Sequence, residues 1–114
     1  MEVDDLVGQE LTAVEFVQDY LQLRFDGPVL TLYEWPEVFR EEGSYAYGEP
    51  EFRNVLCGLI GENVGAATLV EYEALEIQFE SGSSLRTSLR EEDVSGPETG
   101  SLSSGEVGDE MLTF

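Results

Sequence analysis

The side chains able to do chemistry in this chain are almost all carboxylates. Its 114 residues include 25 aspartates and glutamates against five arginines, with no lysine and no histidine, for a formal net charge of −20. That inventory removes whole classes of mechanism. Without histidine, neither a Ser–His–Asp triad nor a Cys–His pair can be assembled, and Cys/His zinc sites lose their donors. Without lysine there is no P-loop cation and no Schiff-base amine. No stretch has the alternating Asp/Asn positions before a glycine that an EF-hand loop needs. Gly58-x-x-Gly61 lacks the strand–glycine–helix setting of a dinucleotide site, and Gly61 reads instead as a helix stop in a left-handed cap. No metal and no cofactor are expected. Acid–base work by paired carboxylates remains, for example Glu71/Glu73 or Glu91/Glu92, since a glycosidase holds two such groups across a cleft. In so acidic a chain such pairs arise everywhere. They single out no catalytic residue, and the expectation is a protein that is not an enzyme.

Charge speaks to partners before it speaks to fold. A field this negative repels nucleic acid and anionic membrane and attracts basic protein surfaces; the plain alternative is that the charge serves solubility alone. Cys57 is the only cysteine, so no intrachain disulfide can form and a reducing compartment fits. Its setting in VLCGLIG predicts packing rather than reactivity. The opening MEVDDLVGQE has neither a basic nor an apolar signal region, and no apolar run nears the ~20 residues of a membrane helix. These features predict a cytoplasmic protein, monomeric when free or a small homo-oligomer.

One segment concentrates recognition chemistry. Between Glu34 and Glu49 runs a connection of about sixteen residues, long for a loop in a domain of this size. It holds the only tryptophan, Trp35, with Phe39, Tyr45 and Tyr47 interleaved among acids. Trp and Tyr make interface anchors because each buries a large apolar area with few rotatable bonds. The candidate partner-binding residues are Trp35, Glu37, Glu41, Glu42, Tyr45, Tyr47 and Glu49. The competing reading makes Trp35 and Phe39 caps over the domain's own core, with Tyr45 and Tyr47, flanked by glycines, left exposed.

The elements that must position this segment follow from a repeat. LVGQELTAVEFVQDYLQLRFDGPVL (Leu6 to Leu30) aligns with LIGENVGAATLVEYEALEIQFESGSSL (Leu59 to Leu85). Gly8 meets Gly61, Leu11 meets Val64, and Leu21-x-Leu23-x-Phe25 meets Leu75-x-Ile77-x-Phe79. The period-2 runs predict three strands in each copy, over Thr12–Tyr33 and Gly65–Leu89. Phe52, Val55, Leu56 and Leu59 recur at helical spacing behind Pro50, which predicts a helix over 50–60. The expected fold is α+β: an internally duplicated helix plus three-stranded antiparallel meander, two units around one core. Its domain spans 1–94, with units of about 1–49 and 50–94. Residues 95–114 form an acidic, Gly/Ser-rich tail, expected as surface loop from Ser95 to Gly105, whose apolar end Met111–Phe114 docks on the domain or on a partner.

Several fragments together resemble a known group. LVGQ, FDGPVLTLYEWPEV, EFRNVLCGLIG, LEIQFESGSSLRTSLREED and SGPE are similar to short bacterial proteins, typical of actinobacteria, known only as domains of unknown function. These share L-I-G, F-x-x-G-S-x-L and G-P-E motifs, and the resemblance covers most of residues 6–98. It implies no catalytic residues. By analogy of size and acidity it implies an immunity protein that neutralises a bacterial toxin by occluding a basic surface. The alternatives are a small-ligand-binding or housekeeping module and, third, a carboxylate-based hydrolase.

Overall fold

Alternation of side chains builds the walls of the core. The structure, a computed structural model, describes residues 2–94, 96, 98–104 and 111–114. In β2 (Tyr20–Phe25), Leu21, Leu23 and Phe25 are buried while Arg24 is exposed. In β7 (Ala74–Phe79), Leu75, Ile77 and Phe79 are buried while Gln78 is exposed. Successive strand residues face opposite ways, so each strand gives the core one apolar edge and water the other.

Each of these strands is the middle of a meander. β1 (Leu11–Val17), β2 and β3 (Val29–Leu32) pair antiparallel, as do β6 (Val64–Val70), β7 and β8 (Ser84–Ser88). Leu11 faces Phe25 and Val64 faces Phe79, with a register shift just after each pair, between Leu11 and Ala13 and between Val64 and Ala66. Gly27 and Gly82 turn the chain after β2 and β7 at φ +107° and +101°, a region closed to most side chains by the Cβ.

The local likeness of the meanders does not extend to the fold, and the expected α+β duplication is overturned. The molecule is mostly β. Its sole α-helix among the described residues, α1, covers only Phe52–Cys57, and the matching place in the first half holds a 3-10 turn, Val3–Leu6. Each meander is widened to five strands by chain from outside its own expected unit. β4 (Glu37–Arg40) and β5 (Gly43–Tyr45) add to β8, giving the order β5-β4-β8-β7-β6. β9 (Gly100–Ser103) and β10 (Met111–Thr113) add to β3, giving β1-β2-β3-β9-β10. The physical reason is that a three-stranded meander leaves β3 and β8 with unpaired backbone edges beside an apolar face, and a further strand satisfies both.

The two sheets share one core. Leu21, Leu23, Phe25, Leu30, Leu32 and Leu102 come from one; Val38, Val64, Leu75, Ile77, Phe79 and Leu85 come from the other. Phe16 and Leu69 are only partly buried against it. Phe52, Leu56 and Leu59 pack on the same core, and Val55 is partly buried there. The helix stops early because Gly58 caps it and i→i+3 bonds take over, from Leu59 N to the Leu56 carbonyl and from Ile60 N to the Cys57 carbonyl. Gly61 is left-handed at φ +95°, but it closes these turns rather than the helix, and Pro50 precedes the N-cap Glu51. Cys57 ends the helix off its buried Phe52–Leu56 face and is exposed, which corrects the expectation that it packs inside.

The sheets also touch at one corner. Gly8 N donates to the Val64 carbonyl, Val64 N to Gln9, Leu11 N to Glu62 and Gly61 N to Leu11. The C-terminal residues dock on their own sheet: Leu112 and Phe114 pack on the core, and Phe114 exchanges backbone hydrogen bonds with Gly100. Of the stretch expected as loop, Gly100–Ser103 is strand, while Ser95, Pro97 and Gly105 lie outside the described residues.

Candidate functional site

The Glu34–Glu49 segment is a β-hairpin, not a sixteen-residue loop. Val38 anchors it, fully buried between the sheets, and Glu37, Val38 and Phe39 pair with Arg86, Leu85 and Ser84 of β8. The correction has a simple cause. Four residues with one inward valine form a weak strand alone, and β8 supplies the ladder that makes it one.

The candidate residues divide into three groups. Trp35 lies half-buried before β4, near-parallel to two other rings: Tyr47 at 4.4 Å and 12°, and Phe16 at 6.3 Å and 20°. Phe52 of α1 meets Trp35 edge-on at 6.4 Å and Tyr47 at 6.0 Å. Trp35 is thus the centre of an aromatic cluster, of which Tyr47, 54% exposed, is the most open ring. Sequence reading did not assign Phe16, Phe52 or Arg53 to this cluster. Arg53 stands 5.6 Å from the Phe16 ring centroid, a cation–π contact that extends the cluster.

Glu41, Glu42 and Glu49 form the acidic rim. The first two are exposed between β4 and β5, where Glu42 approaches Arg40 at 3.8 Å and accepts a long 3.5 Å hydrogen bond from the Tyr45 hydroxyl. Glu49 accepts a hydrogen bond from Ala46 N at 3.1 Å, fixing the turn that carries Tyr47. Tyr45 is half-buried opposite Val38, and its phenol titrates above its ordinary value of 10.0, first from desolvation and then from the Glu42 charge.

Glu37 stands apart from the rim, in the cross-strand row Glu37–Arg86–Glu76 on β4, β8 and β7, where Arg86 pairs with Glu76 at 3.6 Å. A groove of about 380 Å³ opens beside Tyr47, lined by Gly48, Glu49, Pro50, Phe52 and Arg53.

Cations elsewhere are engaged. Arg24 pairs with Glu15 at 3.2 Å and Arg90 with Glu73 at 3.8 Å, so the Glu71/Glu73 pair considered for hydrolysis is split by an ion pair. Five arginines cannot neutralise 25 acids, and the field stays strongly negative. Among the described residues no three acidic or cysteine side chains gather as a metal site, and no helix is long and apolar enough to cross a membrane. Comparison with protein-family models, with curated proteins and with solved structures gives no match to this chain.

Proposed function

We propose that this chain is a non-enzymatic binding protein, and most specifically an immunity protein that occludes a basic surface on a toxin domain. The carrying observation is the hairpin itself: Glu41 and Glu42 stand exposed at its turn, and beyond its open end Glu49 lies beside an exposed Tyr47 whose ring stacks on Trp35. A braced aromatic gives up little freedom on binding, and a truncated buried anchor costs about 2 kcal/mol or more. The carboxylates would set encounter rate and choice of partner, the ring residence time. The resemblance to short acidic bacterial proteins belongs to the same proposal, as does action in the cytoplasm.

The test is affinity capture from a native bacterial lysate, run in parallel with wild type and with a Glu41→Gln/Glu42→Gln/Tyr47→Ala variant, followed by mass spectrometry. The expected outcome is a basic protein retained by wild type and lost by the variant. Its association should slow as salt rises, and Tyr47→Ala alone should mainly speed its dissociation. Identical capture by both chains, with a lowered melting temperature for the variant, would make the hairpin a lid on its own core and remove the site.

A further inference from the structure

A second surface lies at the opposite edge of the β4-containing sheet from the hairpin. Beyond β6 and β10 opens a groove of about 620 Å³, within the range of sites that hold a ligand or an anchoring side chain. Its walls include Leu69 of β6, Leu89 just after β8, Leu112 of β10 and the C-terminal Phe114. Both β6 and β10 end their sheets; Gly8 and Gln9 pair with Val64 at the start of β6, while among the described residues β10 pairs only with β9 and so turns an open backbone edge outward beside an apolar cleft.

The rim adds charge and an aromatic. Glu71 and Glu91 line the groove and are exposed, and no described ion pair engages either; Arg90, the cation next to Glu91, is held by Glu73 at 3.8 Å. Between Glu71 and Glu73 stands Tyr72, 81% exposed and at φ +62°. A bulky residue in the left-handed region is strained, and this turn sets the Tyr72 ring at the mouth of the groove. Val70 and Met111, more than half exposed, leave further apolar surface on the two flanking strands.

We infer that this groove receives an extended, cationic segment of a protein partner, paired along the β10 edge. Such a segment would place one large apolar side chain against Leu69, Leu112 and Phe114, and arginine or lysine side chains two residues to either side against Glu71 and Glu91. Strand addition at an open edge gives backbone hydrogen bonds for affinity and alternate side chains for selection. Apolar walls without charge would favour any greasy peptide; uncompensated carboxylates at the rim select the basic one by complementarity. The inference goes beyond the hairpin reading and stands on different residues.

The test uses the full chain and the capped peptide acetyl-Arg-Thr-Leu-Thr-Arg-amide, followed by amide chemical shifts. Saturable shifts confined to residues 69–72, 89–91 and 111–114 are expected. They should need roughly three- to tenfold more peptide in a Glu71→Gln/Glu91→Gln variant, since each exposed charge pair is worth little alone. Both positions are exposed, so that variant should fold as wild type does. Peptides with serine for leucine, or with N-methylated threonines, should bind more weakly. Equal shifts from a glutamate-flanked peptide, or shifts confined to 41–53, would overturn the inference. So would equal affinity for butylguanidinium, which would make the groove a site for small organic cations. Failure at 69–72 leaves the hairpin reading standing, and failure at the hairpin leaves this groove untouched.

Discussion

A threonine hydroxyl set between two apolar sheets loses water on every side unless a partner replaces it. Thr87 is 1% exposed, sits opposite Leu75, and its Oγ1 has no hydrogen-bond partner among the described residues. Leaving a buried hydroxyl unsatisfied costs about 1–3 kcal/mol. Thr87→Val keeps the β-branched shape and replaces the hydroxyl by a methyl group, so it should raise stability by about 1 kcal/mol. Urea unfolding checks this: a higher midpoint at unchanged slope is expected, and a lower one would mean that the hydroxyl has a partner. The sequence concealed this position because Leu85-Arg86-Thr87-Ser88-Leu89 looks half polar, and only the strand register shows that Thr87 shares the inward face of the leucines. Tyr47 and Trp35 stood out in the sequence by residue type. Their stacking did not, since it depends on Phe16, well before them in sequence, and on a hairpin that brings Trp35 and Tyr47 together.

At the scale of elements, the strands easiest to read were those with two or three large apolar side chains in alternation. Leu21, Leu23 and Phe25 in β2 and Leu75, Ile77 and Phe79 in β7 announce themselves. β9 is Gly-Ser-Leu-Ser, and β4 is Glu-Val-Phe-Arg; each places just one fully buried apolar residue, Leu102 or Val38. Such segments become strands because an edge awaits them, which local composition does not record. β9 carries a sharp test of that dependence. A Cβ on Gly100 would collide with the Thr31 carbonyl oxygen and press on the Phe114 ring at 3.0 Å. Gly100→Ala should therefore cost about 1–3 kcal/mol, the usual penalty for forcing atoms into a packed site, and loosen β9 from β3. Hydrogen exchange should quicken at Leu102 and Leu30, whose strands pair there, while Ile77 in the other sheet stays protected. Uniform loss of protection, or none, would contradict this.

For the whole molecule the dominant quantity is charge. With a net −20 and a sequence pI near 4.1, folding gathers mutually repelling carboxylates into one small volume. Screening relieves that repulsion, because the Debye length falls from about 30 Å at 0.01 M salt to about 8 Å at 0.15 M. Sodium chloride over that range should raise the melting temperature by roughly 3–5 °C, the shift about 1 kcal/mol produces in a domain near this size. A flat or falling melting temperature would show that the arginine–glutamate pairs outweigh the repulsion. Net charge and the absence of whole classes of chemistry were legible from composition alone. The two-sheet architecture was not, because it turns on which meander each later segment joins.

Those later segments cross over. The chain leaves β3 to place β4 against β8, and leaves β8 to place β9 against β3. On the ribosome this exchange imposes a delay. The edge of β3 emerges with Leu32, yet its partner Gly100 follows almost 70 residues later. At ~5–20 residues per second, that edge stands uncovered for roughly 3–14 s of synthesis. Meanwhile β4 has been made before the strand it will join. Neighbouring nascent chains on one messenger therefore present each other with bare β3 edges, while the dense negative charge of each chain keeps them apart until β9 arrives.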